Sequence, residues 1–160
     1  MKVLGVDPGV HGALVVLDTD TDTLAAVEDM PVISVKKASN TNKSNTISES
    51  HLAGLVKSLS PDVAWIERVH AMPKQGVVSS FNFGVGFGML LGVLAASRVP
   101  FFLVSPTEWK REFRLGPDKQ EARVLASRRF PHSAMDFSRV RDDGRAEAAL
   151  LAVFGAKYPL

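Results

Sequence analysis

The 160-residue chain has no cysteine. That excludes disulfides and thiolate metal centres and fits a reducing, cytosolic setting. It has no uninterrupted apolar run of the roughly eighteen residues that a membrane-crossing helix requires. The richest stretch, Val85 to Ala96, is shorter and carries glycine, so it is expected to be a buried helix, with no membrane partner. There is no basic leader followed by an apolar core, so no secretory signal is expected. Internal repeats are absent. Net charge is small, +2, but unevenly placed. Residues 1–30 hold one lysine against six acids, and residues 98–145 hold eleven basic against seven acidic residues. A basic half of this kind is either a solvated helical surface or a phosphate-facing side. The remainder, 46% hydrophobic and 22% charged, is the composition of a globular chain, expected to form one domain over 1–160.

The apolar segment Val3–Val6 runs into Asp7, then a Pro8-Gly9 turn, then a second apolar segment, Ala13–Leu17. A carboxylate at the end of a buried strand is costly unless something binds it. Asp7 is therefore a candidate metal ligand, with an ordinary turn aspartate as the alternative. Leu24–Met30 completes an antiparallel meander of three strands. Ser34–Ser50 loses almost all apolar residues and is expected to be a long polar loop. Thr46 to Glu49 spells a capping box before a helix with Ile47, Leu52, Leu55, Val56 and Leu59 on one face. Val63–Ile66 is a fourth strand, ending at Glu67, and residues 68–78 form a loop. A helix is expected over Ser79–Ser97, its glycines permitting close approach to another element. Phe101–Val104 is a fifth strand and Pro106–Phe113 a short helix. Asp118 with Glu121 can cap a helix to about Phe130, and a last helix begins near Asp142–Asp143. Strands entered through helical crossovers extend such a meander in parallel. The expected fold class is α/β of the ribonuclease H-like plan: a five-stranded mixed sheet, three strands antiparallel and two parallel, flanked by helices.

Four acids fall where this plan can bring them together. Asp7 ends the first strand and Glu67 the fourth. Asp143 and Glu147 lie four apart on the last helix, so their side chains share a face. Ala146, Ala148 and Ala149 are small enough to let that helix press against the sheet. Converging oxygen ligands suit Mg²⁺ or Mn²⁺, two per site, as in phosphodiester hydrolysis. Taken singly, Glu67 also fits a solvated strand end, Asp143 a helix N-cap, and Glu147 an acid favoured by the helix dipole. His11 and His70 read as loop residues and are given no metal.

The ordered set Gly5-Val-Asp7-Pro-Gly9…Gly12-Ala, Ile66-Glu67, Ser105-Pro106…Trp109-Lys110, Asp118-Lys119 and Asp143-Gly-Arg-Ala-Glu147-Ala spans nearly the whole chain. It resembles the RuvC-like Holliday junction resolvases, particularly phage-type members. The resemblance implies a homodimer that cleaves four-way or other branched DNA with a divalent metal. It carries Asp7, Glu67 and Glu147 over as metal-binding catalytic acids. One departure stands out. Many bacterial members place the last two catalytic side chains three residues apart, but Gly144 stands three before Glu147. Asp143 is then the nearest acid and Asp142 the fallback. Lys110 and Lys119 fall where the family has important lysines, and a lysine there can neutralise phosphate charge; Lys119 is counted with the catalytic set. Arg68, His70, Lys74 and Gln75 follow Glu67, a region that approaches the junction centre in this family. The glycine-rich helix is the candidate dimer interface. Phe81 and Phe83 are either wedges or core aromatics.

Other readings remain. The same fold can act on flaps, replication forks or RNA–DNA hybrids. Asp7 to Gly12 also resembles the first phosphate loop of actin-like ATPases, but those need a second loop in a duplicated domain, and no second copy is present. A catalytically idle junction-binding module is the last alternative, opposed by the intact acidic set.

Overall fold

A computed structural model of the chain describes residues 1–36, 43–70 and 76–158. Its main sheet is built from β1 (Lys2–Asp7), β2 (Ala13–Asp18), β3 (Thr23–Asp29), β6 (Val63–Glu67) and β7 (Phe101–Val104). The strand order is β3-β2-β1-β6-β7. The β1–β2 and β2–β3 pairs are antiparallel, and the β1–β6 and β6–β7 pairs are parallel. The meander and crossovers read from the sequence are thus both present.

β1 is central, so Val3, Leu4 and Val6 are all fully buried and the strand is apolar on both faces. Side chains alternate across the sheet and sort the core into two layers. Val3, Val15, Leu17 and Val63 pack with α4 (Lys119–Arg129) and α5 (Asp143–Gly155). Leu4, Val6, Leu14, Val16, Ala64 and Ile66 pack with α1 (Glu49–Leu59) and α2 (Val77–Ala96). Two 3-10 segments, Pro131–Phe137 and Val140–Asp142, lead into α5.

Three expectations are corrected. Ser34–Ser50 is not simply a loop: β4 (Val32–Lys36) and β5 (Lys43–Ile47) form an antiparallel two-stranded ribbon. Its register pairs Val32 with Ile47 and Ser34 with Asn45, and Ser34 Oγ donates to Asn45 Oδ1 at 2.8 Å. The capping box does not form, because Thr46 is held in β5 opposite Ile33; Ser48 is the N-cap and makes no side-chain capping bond. Finally, α2 is not a buried helix. It buries Gly86, Leu90 and Leu94 but exposes Val77, Val78, Phe81 and Val85, with Phe81 70% exposed and so outside the core. By length and composition alone α2 is apolar enough to cross a membrane, yet Leu90 and Leu94 pack into the core over the sheet. Its apolar residues run all the way round, so periodicity could not say which face is covered.

Candidate active site

Strand register sets the site. Val6 pairs with Ile66 in parallel, so Asp7 and Glu67 leave neighbouring strands at the same sheet edge. They share the parity of Val3 and Val63, which face the α5 layer. α5 then runs back over β1 in backbone contact. A Cβ added at Gly5 would stand 1.9 Å from the Ala148 carbonyl oxygen and 2.5 Å from the Ala152 nitrogen. A Cβ added at Gly144 would stand 2.6 Å from the His11 carbonyl oxygen and 3.0 Å from Asp7 Oδ2. The first turn of α5 therefore lies against Asp7, and Glu147, 6% exposed, follows one turn on. Ala146, Ala148 and Ala149 are all fully buried, the close approach their size predicted.

The three acids act on one another. Burial first, then the charges of Glu147 and Glu67, push the Asp7 carboxyl up to about 7, against the Gly9 backbone N–H and Lys119. Burial also raises Glu67, and Glu147 adds to it, while a hydrogen bond from Trp109 and the charges of Lys110 and Lys119 pull the other way. Clustered, oxygen-only anions of this kind suit a hard divalent cation, which reverses the repulsion. Among the described residues, however, no three His, Cys, Asp or Glu side chains already stand as a metal-ligating group. Several of these carboxylates are instead engaged by protein donors or cations.

α3 (Pro106–Glu112) supplies two of these. Ser105 caps it by accepting from the Glu108 N–H, and Pro106 occupies its first turn. The helix so fixed puts consecutive residues on two acids. Trp109 Nε1 donates to Glu67 Oε2 at 2.8 Å, and Lys110 Nζ donates to Glu147 Oε1 at 2.9 Å. Lys110 also lies 5.2 Å from the Trp109 ring centroid. Asp143 Oδ1 is 2.8 Å from Arg123 Nε, an ion pair too poorly aligned to be a hydrogen bond. Asp142 is buried. Burial alone would raise its carboxyl, but Arg139, donating through its backbone N–H and guanidinium, holds it below the ordinary value.

Trp109 is fully buried, and its role in holding Glu67 lies 42 residues away in sequence. Trp109→Phe is expected to destabilise the protein by about 1–3 kcal/mol, because a partly buried carboxylate loses its charge-assisted donor. Removing that donor also raises the Glu67 carboxyl further. Thermal denaturation and a pH titration of that carboxyl followed by NMR check both.

The remaining candidate residues are spread around this centre. Arg68 and His70 are exposed in the segment after β6, where the Arg68 N–H donates to the Val104 carbonyl at 2.7 Å. Lys74 and Gln75 lie outside the described residues. Lys119 is exposed at the start of α4, which Asp118 caps by accepting from the Gln120 N–H. Lys119 lines an open cleft of about 740 Å³ together with Asp7, Gly9, His11, Asn45, Phe83, Arg139, Arg141, Asp143 and Arg145. Sequence reading gave no role to Trp109, Arg123, Arg139 or Arg141. Only the Trp109-Lys110 adjacency was visible there.

No protein-family model and no curated protein matches the sequence. Solved structures do match. The chain is similar to T. thermophilus RuvC in complex with Holliday junction substrate, with a TM-score of 0.65 and 14% identity over 98% of this chain and 95% of that one. It is similar to the fowlpox virus Holliday junction resolvase, with a TM-score of 0.61 and 16% identity over 100% of both chains. It is also similar to the yeast mitochondrial Holliday junction resolvase, with a TM-score of 0.51 and 19% identity over 94% of this chain and 75% of that one. At these identities the likeness is one of architecture, and it agrees with the strand order described above: the chain has the ribonuclease H-like fold of the RuvC-type Holliday junction resolvases.

Proposed function

We propose that the chain is a crossover junction endodeoxyribonuclease, resolving Holliday junctions and related branched DNA as a homodimer. The observation that carries this reading is the convergence of Asp7, Glu67 and Glu147 at one sheet edge, in a fold shared with three junction resolvases. Asp7, Glu67 and Glu147 would hold the metal, with Asp143 as the fourth ligand: Asp143 meets Arg123 only as an ion pair without a hydrogen bond, whereas Asp142 is hydrogen-bonded to both the backbone and the guanidinium of Arg139. Two Mg²⁺ or Mn²⁺ ions bound there supply an activated water and stabilisation of the leaving oxygen. Within the protein, Trp109 orients Glu67 and Arg123 orients Asp143. Lys119 offsets phosphate charge at the cleft, and Lys110 does so beside Glu147. Arg68, His70, Lys74 and Gln75 contact the junction beyond the scissile strand. The exposed apolar face of α2, with Val77, Val78, Phe81 and Val85, is the subunit interface, so that two sites cut symmetrically.

Side-by-side cleavage of a four-way junction, a flap, a fork and an RNA–DNA hybrid tests the substrate class. The four-way junction should be cut fastest. Preferential cleavage of the hybrid or flap would overturn junction resolution in favour of another substrate for the same fold.

A further inference from the structure

The cleft beside Asp7 is rimmed by four cations, and two of them are already neutralised. Arg139 is held on Asp142 at 2.7 Å, and Arg145 grips Asp29 through two bonds of 2.6 and 2.8 Å, with Asp136 at 3.8 Å. Arg123, behind the rim, pairs with Asp143. Among the described residues, Lys119 and Arg141 are the two cleft-lining cations with no carboxylate within ion-pair distance. Lys119 is the cation already assigned to the reacting phosphate. Arg141 is exposed, sits in the 3-10 segment Val140–Asp142, and has no assigned role.

That segment is a fixed platform. Arg139 and Asp142 bond reciprocally across it, and the buried Asp142 leads straight into α5. The neighbours of Arg141 are thus locked, while among the described residues its own guanidinium, five donors in a planar fork, meets no carboxylate. Lining the same cleft are Val32 and Asn45 of the β4–β5 ribbon and Phe83 of α2. The Asn45 amide oxygen accepts from Ser34, which leaves its NH₂ group to donate. The same cleft carries the carboxylates of Asp7, Asp29, Asp142 and Asp143; Asp29, Asp142 and Asp143 are paired with Arg145, Arg139 and Arg123, so apolar surface, a neutral donor and Arg141 are what the rest of the lining offers an anion.

We propose that Arg141 is a backbone-phosphate contact, gripping the DNA strand that enters the cleft between the 3-10 segment and the β4–β5 ribbon. This rests on the junction-nuclease reading and adds to it a binding residue that positions the strand across Asp7. One phosphate contact contributes about 0.9 to the slope of log K against log salt for duplex DNA. At about 0.1 M salt that corresponds to roughly eightfold in affinity.

The test is binding of a labelled four-way junction in EDTA, across a salt series, by the wild type, Arg141→Gln and Arg128→Gln. Arg128 is an exposed cation of α4 outside this cleft, so its loss makes the same change in net charge. Arg141→Gln should bind roughly eightfold more weakly at 0.1 M salt, with the slope reduced by about 0.9, while Arg128→Gln stays near the wild type. Equal, small changes in both variants would overturn the proposal and leave the nuclease reading standing. Failure of the wild type to bind any branched DNA would overturn both. Coincident melting curves for the three proteins show that folding is unaffected.

Discussion

Asp7→Asn is expected to end metal-dependent cleavage and, at the same time, to make the metal-free protein more stable at neutral and alkaline pH. The first effect follows from the loss of the central anionic oxygen. Several kcal/mol of charge stabilisation depend on the metal it holds, which is roughly 10³-fold or more in rate. The second follows from linkage. The Asp7 carboxyl is raised from 3.8 to about 7 in the folded chain, first by burial and then by Glu147 and Glu67. A carboxyl raised in this way favours the fold only when protonated. Its contribution is fully present below about 3.8 and is lost as pH rises through about 7. Above that pH the folded chain bears the full cost of three clustered anions. A neutral amide removes it. Discounted for the solvent that still reaches Asp7, the gain is about 1–3 kcal/mol, or roughly 3–10 °C in Tm for a chain of this size. Melting curves in EDTA at pH 5 and pH 8, with and without the substitution, check the sign. The wild type should lose more stability between the two than Asp7→Asn, in which only the raised Glu67 remains, and saturating Mg²⁺ should narrow the difference.

Gly5→Ala is the substitution with the largest expected cost to the fold. Its methyl would lie 1.9 Å from the Ala148 carbonyl oxygen and 2.5 Å from the Ala152 nitrogen. Both are helix backbone, so no side chain can swing aside. α5 must lift from β1, at about 3 kcal/mol, or roughly 6–12 °C in Tm. Because Glu147 rides on α5 and Gly144 rests on Asp7, the displacement also separates the acids. A shift of about 1 Å costs on the order of 10²-fold in rate. Gly54→Ala in α1, where an added Cβ meets nothing within 4 Å, is the control; it should be neutral or stabilise by up to about 1 kcal/mol.

These contrasts show what the sequence could disclose. Asp7 and Glu67 were legible because each ends an apolar run, and strand ends are a one-dimensional signal. The α5 acids were legible because a spacing of four defines a helical face. The closeness of Gly5 to Ala148 was half legible, as small residues on both elements. The β4–β5 ribbon was not, since Ser34, Asn45 and Thr46 carry its pairing and look like loop residues when read singly. The contacts that tune the acids were also hidden, because they join residues distant in sequence. Trp109 reaches Glu67 from 42 positions away, and Arg145 reaches Asp29 from 116. Asp142 illustrates the converse: as an acid before a helix it read as a fallback ligand, while its partner, Arg139, is only three residues away.

The central claim is that Asp7, Glu67 and Glu147 form a metal-dependent nuclease centre for branched DNA. It is tested most directly by incubating EDTA-stripped protein with an end-labelled four-way junction, adding Mg²⁺ or Mn²⁺, and mapping the nicks on all four strands. The account predicts paired nicks at symmetric positions in two opposed strands, none without metal, and none from Asp7→Asn although that variant still binds the junction. Cleavage that persists in EDTA, or that Asp7→Asn carries out at the wild-type rate, would contradict it.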